Sequence, residues 1–296
     1  MSTFLDNILD TLDRKHLAIV LRSVLDRYPV IISSRNPESA DTIAETLVKL
    51  VPHRREVVFG SDFITHAEHE RMVNHEKSDY NGERMIYRSP SSSMNLLCKE
   101  ISNFQGWIIV IDPSNFDQIR SSLMNTSFPP ILLRYNGGIL ELEPNGSTKK
   151  LRNTGFEEKL LEKVTSETRM KMERITRILR RAAQGKVSER LEKSLIDLNH
   201  EEERVRQSLY REHIQGFVEA AWRVLIILMR LRLLQGVGVK STISNKMLQQ
   251  AIDYKGASIE RLMEFIKSEW GEDFQSSVQD GTGQTVGDRL EGFWTI

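Results

Sequence analysis

The residues of this chain best placed to do chemistry lie in Tyr28 to Leu50, YPVIISSRNPESADTIAETLVKL, where an apolar strand runs through a Ser/Arg/Asn/Pro loop into an amphipathic helix. A phosphate-binding loop at such a place needs glycines, so that backbone N–H groups can wrap the phosphates, then Lys and Ser/Thr for the terminal phosphate and Mg²⁺. Aligned on Thr42, the loop has Ala40 where the last glycine should stand and Asp41 where the lysine should stand, with no glycine from Tyr28 to Leu50. An anionic side chain there repels a triphosphate. What remains is a helix N-terminus at Asn36 with Arg35 beside it, which could accept a small anion. Trp107 to Asp112, WIIVID, is an apolar strand ending in an acid that could hold Mg²⁺ through water, a feature common to doubly wound sheets in general.

Three further groups carry candidate chemistry. His66 and His69, in THAEHERMVNHEK, share a helical face at i and i+3, so two imidazoles could hold a metal with a third ligand from elsewhere; a solvated helix face is the competing expectation. Arg169 to Arg190 contains eight cations and two acids, a local charge of +6 in a neutral chain. Within it Arg169, Arg174, Arg177, Arg180 and Arg181 are candidates for tracking phosphates or an acidic partner, with Arg174, Arg177 and Arg181 on one face and Ile175, Ile178, Leu179 and Ala182 as the apolar stripe. No aromatic residue interleaves these cations, which argues against single-strand stacking, and the net charge of −3 over residues 235–296 could neutralise them internally. Ser91 to Ser93 and Ser121 to Ser122 lack a GxSxG elbow or a neighbouring His/Asp arrangement, so nucleophilic catalysis is unsupported.

The elements that must position these residues divide in two. Leu5, Ile8, Leu9 and Leu12, then Leu17, Val20, Leu21, Val24 and Leu25, repeat at helical spacing ahead of the first strand, Pro29 to Ser33. Asn36-Pro37-Glu38 supplies an N-cap, a proline at the first helical position and an acid in the first turn of a helix over 37–51. Further strands are expected at 56–59, 84–87 and 107–111, with helical segments around 64–75 and 94–104. Ile131 to Tyr135 and Ile139 to Glu143 flank Asn136-Gly137-Gly138, a β-hairpin signal. Strands alternating with helices predict an α/β domain over 1–148, its sheet mainly parallel with an edge hairpin. After the polar, turn-rich Pro144 to Ser147 the pattern turns helical, and an all-α helical bundle is expected over 149–274, from helices at 156–183, 188–198, 201–234, 244–252 and 258–270. The last two could be taken for a helix-turn-helix, but Glu260, Glu264 and Glu269, read as exposed, suit a protein contact better than a DNA groove.

Composition narrows the function classes. Lys+Arg and Asp+Glu are both 41, so no overall field commits the chain to nucleic acid or an acidic membrane surface. Cys98 is the only cysteine, which excludes an internal disulfide and a cysteine-based zinc site and fits a reducing, cytoplasmic setting. The N-terminus lacks the form of a signal peptide. The longest apolar run, Phe217 to Leu234, is interrupted by Glu219, Arg223, Arg230 and Arg232, short of the ~18 to 20 clean apolar residues of a membrane span, and reads as a buried helix. Residues 275–296 form a polar, glycine-containing linker with an apolar tip, in which Leu290, Phe293 and Trp294 are candidates for docking a partner or folding back onto the chain.

The order of elements over residues 28–112 looks similar to that of P-loop NTPases without their phosphate loop. Over residues 8–143 the order of helix, strand VIISS, helix, strand EVVF, strand WIIVID and strand GGILEL is similar to the central DENN region, which promotes nucleotide exchange on small GTPases. Neither resemblance carries a motif, and neither assigns the chain to a family. The residues point instead to a non-catalytic cytoplasmic regulatory or scaffold protein, without a cofactor, that acts through a protein partner or self-association. The alternatives are a nucleotide-responsive switch or small-GTPase regulator on the degenerate layer, and a nucleic-acid binder using the basic helix at 169–190.

Overall fold

The computed structural model describes residues 11–60, 83–88, 101, 105–123, 129–151, 153–182, 188–239 and 242–279. By contacts the chain divides into two compact units, Met1–Ile214 and Gln215–Ile296. The composition change near residue 148 lies inside the first.

The first unit opens on α1 (Arg14–Leu25), whose N-cap Asp13 accepts a hydrogen bond from the backbone N–H of His16 at 2.8 Å. Strand β1 (Val30–Ser34) follows and is buried along its whole length, then α2 (Pro37–Lys49), β2 (Arg55–Gly60), β3 (Glu83–Arg88) and β4 (Ile108–Ile111). A 3₁₀ turn (Pro113–Asn115) leads into α3 (Phe116–Leu123), and β5 (Ile131–Asn136) and β6 (Ile139–Glu143) form the hairpin. These strands make one mixed sheet in the order β2-β3-β4-β1-β5-β6, parallel from β2 to β5, with β6 antiparallel at the edge. The two-residue turn is Gly137-Gly138, both with positive φ (58° and 95°), which closes the hairpin at the pair Asn136 and Ile139 without the steric cost a side chain would bring.

The core of this unit sits where β1 runs between β4 and β5. Val30, Ile31, Ile32, Ile108, Ile109, Ile131, Leu132 and Leu133 are all fully buried, as are Ile43, Ala44 and Leu47 of α2 and Val24 and Leu25 of α1. Each such Val, Leu or Ile contributes roughly 1.5–3 kcal/mol relative to exposure. Two buried arginines secure the C-terminal end of α1. Arg54 donates from Nη1 to the Val24 carbonyl at 3.0 Å and from Nη2 to the Leu25 carbonyl at 2.9 Å, satisfying the last carbonyls of the helix. Arg22 pairs with Asp26 at 3.3 Å and donates to the Asn153 carbonyl.

Pro144 to Ser147 departs from the expected open break. Asn145 caps a short helix, α4 (Gly146–Lys150), through a capping box with Thr148, donates from Nδ2 to the Pro130 carbonyl at 2.9 Å, and is buried. Ser147 Oγ donates to the Pro129 carbonyl at 2.5 Å. The polar side chains that mark a loop in the sequence are consumed in capping and in fastening the turn beside β5.

From there the chain is mostly helical: α5 (Gly155–Ala182), α6 (Ser188–Gly236), α7 (Asn245–Ile252) and α8 (Ile259–Trp270), with a two-stranded parallel ribbon of β7 (Ile243–Ser244) and β8 (Val278–Gln279). The break expected between Leu198 and Glu201 is absent, and α6 runs through as 49 residues. Asn199 and His200 lower helix propensity, but neither blocks the backbone as Pro does. Glu202 to Arg206 at 3.0 Å and Glu203 to Gln207 at 2.9 Å then reinforce the next turns at i,i+4 spacing. Within the first unit, Glu167 of α5 meets His213 Nε2 of α6 at 2.8 Å.

In the second unit Phe217 of α6 packs edge-on against Phe265 of α8 at 4.9 Å, and Phe265 against Trp270 at 5.7 Å. Leu248, Ile252, Leu262 and Ile266 are buried in the same unit. Glu269, expected on the exposed face of α8, is buried, because it follows Phe265 by four positions and Ile266 by three and so shares their inward face, whereas Glu260 and Glu264 are exposed.

Candidate functional site

Two regions could act on another molecule: the crevice at the carboxyl ends of β1, β4 and β5 in the first unit, and the outward face of α6 in the second.

The crevice lies where an open α/β sheet ordinarily binds ligands, beside a strand whose neighbours are reached in opposite directions along the sheet. Its cavity of about 170 Å³ is lined by Ser33, Pro113, Phe116, Asp117, Arg134 and Asn136. The guanidinium of Arg134 lies 4.5 Å over the Phe116 ring, and its Nε is 3.0 Å from Glu143 Oε2, while Arg120 approaches the other oxygen of Glu143 at 3.0 Å. The donors nearest the start of α2 are engaged locally. The Asn36 N–H donates to Ser34 Oγ at 3.0 Å, and the Ser39 N–H donates to the Asn36 side chain at 3.3 Å. Arg35 is exposed.

Asp112, the acid at the end of β4, acts as the N-cap of the 3₁₀ turn. It accepts from Ser114 Oγ at 2.6 Å and from the Ser114 N–H at 2.8 Å. These two bonds, helped by the charge of Arg35, hold its carboxyl below the usual carboxylate range. The local signal was in the sequence, since Asp-Pro-Ser is the composition of a capped turn. The cavity is therefore lined by charges of both signs, Arg134 and Asp117, and presents no one-signed surface to a polyphosphate.

The second region was not singled out from the sequence, which reads 217–234 as a buried helix. One face of α6 is buried through Phe217, Ala220, Ala221, Val224, Leu225, Leu228 and Leu231. The opposite face carries Trp222, Ile226, Met229 and Leu233, which are 50 %, 37 %, 40 % and 71 % exposed, and Val237, in the turn just past the helix, is 77 % exposed. The spacing of four, three and four positions from Trp222 to Leu233 makes one continuous stripe along the helix. Trp222 is held upright by an edge contact with Trp270 at 5.5 Å. The arginines that interrupt the apolar run face polar partners or water. Arg223 donates to the Ile252 carbonyl at 3.1 Å, Arg230 is exposed, and Arg232 pairs with Glu272, donates to the Asp273 carbonyl at 2.6 Å and lies 4.1 Å over the Phe274 ring.

Of the remaining candidates, Arg169, Arg174 and Arg177 are exposed on α5, with Arg169 4.0 Å from Glu173. Arg180 and Arg181 lie on the same helix. Ile178, expected in the apolar stripe of that helix, is 57 % exposed. The exposed cations on α5 are thus accompanied by outward apolar residues, Met170 and Ile178. His66 and His69 lie outside the described residues, as do Leu290, Phe293 and Trp294. Among the described residues no cluster of three metal-ligating side chains occurs, and no helix is long and apolar enough to cross a membrane.

No protein-family model, no curated protein and no solved structure matches this chain.

Proposed function

We propose that this chain is a non-catalytic regulatory or scaffold protein of the cytoplasm that acts through protein–protein contact, and that the apolar stripe of α6 is its contact surface. One observation carries the reading: four large apolar side chains, Trp222, Ile226, Met229 and Leu233, stand outward in a line on a helix whose opposite face already fills a core. Scattered exposed apolar residues are ordinary, whereas a contiguous stripe marks an interaction surface. Trp222, an aromatic anchor steadied by Trp270, is the residue type that concentrates binding energy in such surfaces. The exposed cations of α5 favour a second reading, in which this helix tracks nucleic-acid phosphates.

The test is an affinity capture with tagged chain from its native lysate, with and without nuclease, alongside a chain carrying Ile226→Glu and Leu233→Glu and a chain carrying Arg174→Glu and Arg177→Glu. Retention of a discrete protein that survives nuclease and is lost with the α6 variant is the expected result, or a fall in light-scattering mass if the partner is a second copy. Retention indifferent to the α6 substitutions overturns the reading, and material lost on nuclease treatment and with the α5 variant replaces it with the nucleic-acid one.

A further inference from the structure

We propose that the apolar stripe of α6 takes a helix of another protein, one with an apolar seam of heptad spacing and carboxylates along its edge, and not a second copy of this chain. The inference rests on reading the stripe as a contact surface and adds the chemistry of its partner.

Spacing gives the shape of the partner. Trp222, Ile226, Met229 and Leu233 stand at i, i+4, i+7 and i+11, the alternation of four and three by which one helix offers a seam to a second. The seam rises about 16 Å along the helix. A row of four side chains is small against the ~800 Å² per partner of a stable interface between two folded domains, whereas a single amphipathic helix is read through this number of anchors.

Charge gives its sign. Arg223 follows Trp222 by one position and Arg230 follows Met229 by one, so the two cations hold the same place on one edge of the seam, a heptad apart, and both are exposed. Arg223 uses one of the five N–H donors of its guanidinium on the Ile252 carbonyl at 3.1 Å. Glu219 heads the same edge and is hydrogen-bonded to Gln215 at 3.0 Å, so two cations stand there against one acid. The other edge is closed: Leu225 is buried, and Arg232 is engaged by Glu272, the Asp273 carbonyl and the Phe274 ring. Carboxylates seven residues apart on a partner helix can reach both exposed guanidinium groups, whose fork geometry suits them. At a rim of this kind charge selects the partner more than it adds affinity.

The same charges disfavour a second copy. An antiparallel two-fold centred between Ile226 and Met229 matches Trp222 with Leu233 and Ile226 with Met229, but it turns the same edge of both helices together and sets Arg223 beside Arg230 of the copy, twice over. A parallel pairing sets Arg223 and Arg230 against Val218 and Leu225, which carry no charge to meet them.

Fluorescence anisotropy with two synthetic three-heptad peptides, titrated with the full chain, tests this directly. Both peptides carry the same leucine seam, and their flanking positions are Glu in one and Lys in the other. The net charge of the chain is zero, so no overall field favours either. The expected result is that the Glu-edged peptide binds at least ten-fold more tightly and that Arg223→Glu with Arg230→Glu reverses the order. Ile226→Glu with Leu233→Glu should abolish binding of both peptides. Equal affinities, a preference for the Lys edge, an order unmoved by the arginine substitutions, or no binding overturn the proposal. So does a light-scattering dimer of the native chain that Ile226→Glu with Leu233→Glu dissociates. Arg223 also holds the Ile252 carbonyl, so should the doubly substituted chain fail to fold by circular dichroism, Arg230→Glu alone reads the same edge. The two readings fail separately: no charge preference, with lysate capture still lost in the α6 variant, removes only the acidic helix. No peptide binding, with capture indifferent to the stripe, removes the contact surface as well.

Discussion

Replacing Leu228 and Leu233 by alanine, one at a time, tests whether α6 has one apolar face in a core and another turned outward. Leu228 is 0 % exposed, so its truncation loses the whole transfer free energy of the removed atoms and leaves a cavity, together about 2–5 kcal/mol. Leu233 is 71 % exposed and has less than a third of its surface to lose, or about 0.6 kcal/mol of the roughly 2 kcal/mol for full burial. The slightly better helix propensity of alanine offsets part of this. The assay is urea unfolding followed by tryptophan fluorescence in a Trp107→Phe, Trp294→Phe background, where the signal comes from Trp222 and Trp270 in their edge contact. With a slope of about 2 kcal/mol/M, Leu228→Ala lowers the midpoint by roughly 1–2.5 M and Leu233→Ala by less than about 0.4 M. Equal shifts would refute the reasoning, since they would make the stripe part of a core.

Arg54→Ala leaves the Val24 and Leu25 carbonyls without their guanidinium donors and should cost about 2–4 kcal/mol, while Arg54→Lys recovers less than half because one ammonium cannot fork to two carbonyls; circular dichroism during urea unfolding measures both. Asp273 supplies a pH dependence: the hydrogen bond from Lys267, then that from the Gln275 N–H, lower its pKa below the unfolded value of about 3.9. Its contribution is therefore whole above about pH 5 and is lost as pH falls through the depressed folded pKa. The stability difference between the native chain and Asp273→Asn should be constant from pH 5 to 7 and shrink below pH 4 in urea titrations; a difference that persists unchanged at pH 2 would show that the carboxylate charge is not what matters.

Local signals made much of the architecture readable. The cap, proline and acid at Asn36, Pro37 and Glu38 set the start of α2, where Asn36 does accept from the Ser39 N–H. The glycine pair after Asn136 set the hairpin, and short apolar runs located the six strands of the mixed sheet, each within a residue or so of its observed ends, whereas β7 lies in the stretch expected to be all-α and β8 in the expected linker. Asp112 was readable too, but as the cap of a turn rather than as a metal-holding acid. The same local logic misled at Pro144 to Ser147, where the residues of a loop build a capped helix, and at Asn199-His200, where weak helix formers do not interrupt α6.

By itself the sequence determined most of the helices and the strands of the mixed sheet, and the missing glycines and the Asp41 that set the start of α2 apart from a phosphate loop, because those depend on residues within a turn or two of one another. Only the tertiary structure decided that β1 lies between β4 and β5, that Glu269 turns inward, and that one side of the apolar helix at 217–234 faces a core while the other is exposed. A helix that is apolar nearly all round has no hydrophobic period to say which face will be covered; that depends on Phe265, tens of residues away, arriving against Phe217 on one side of it.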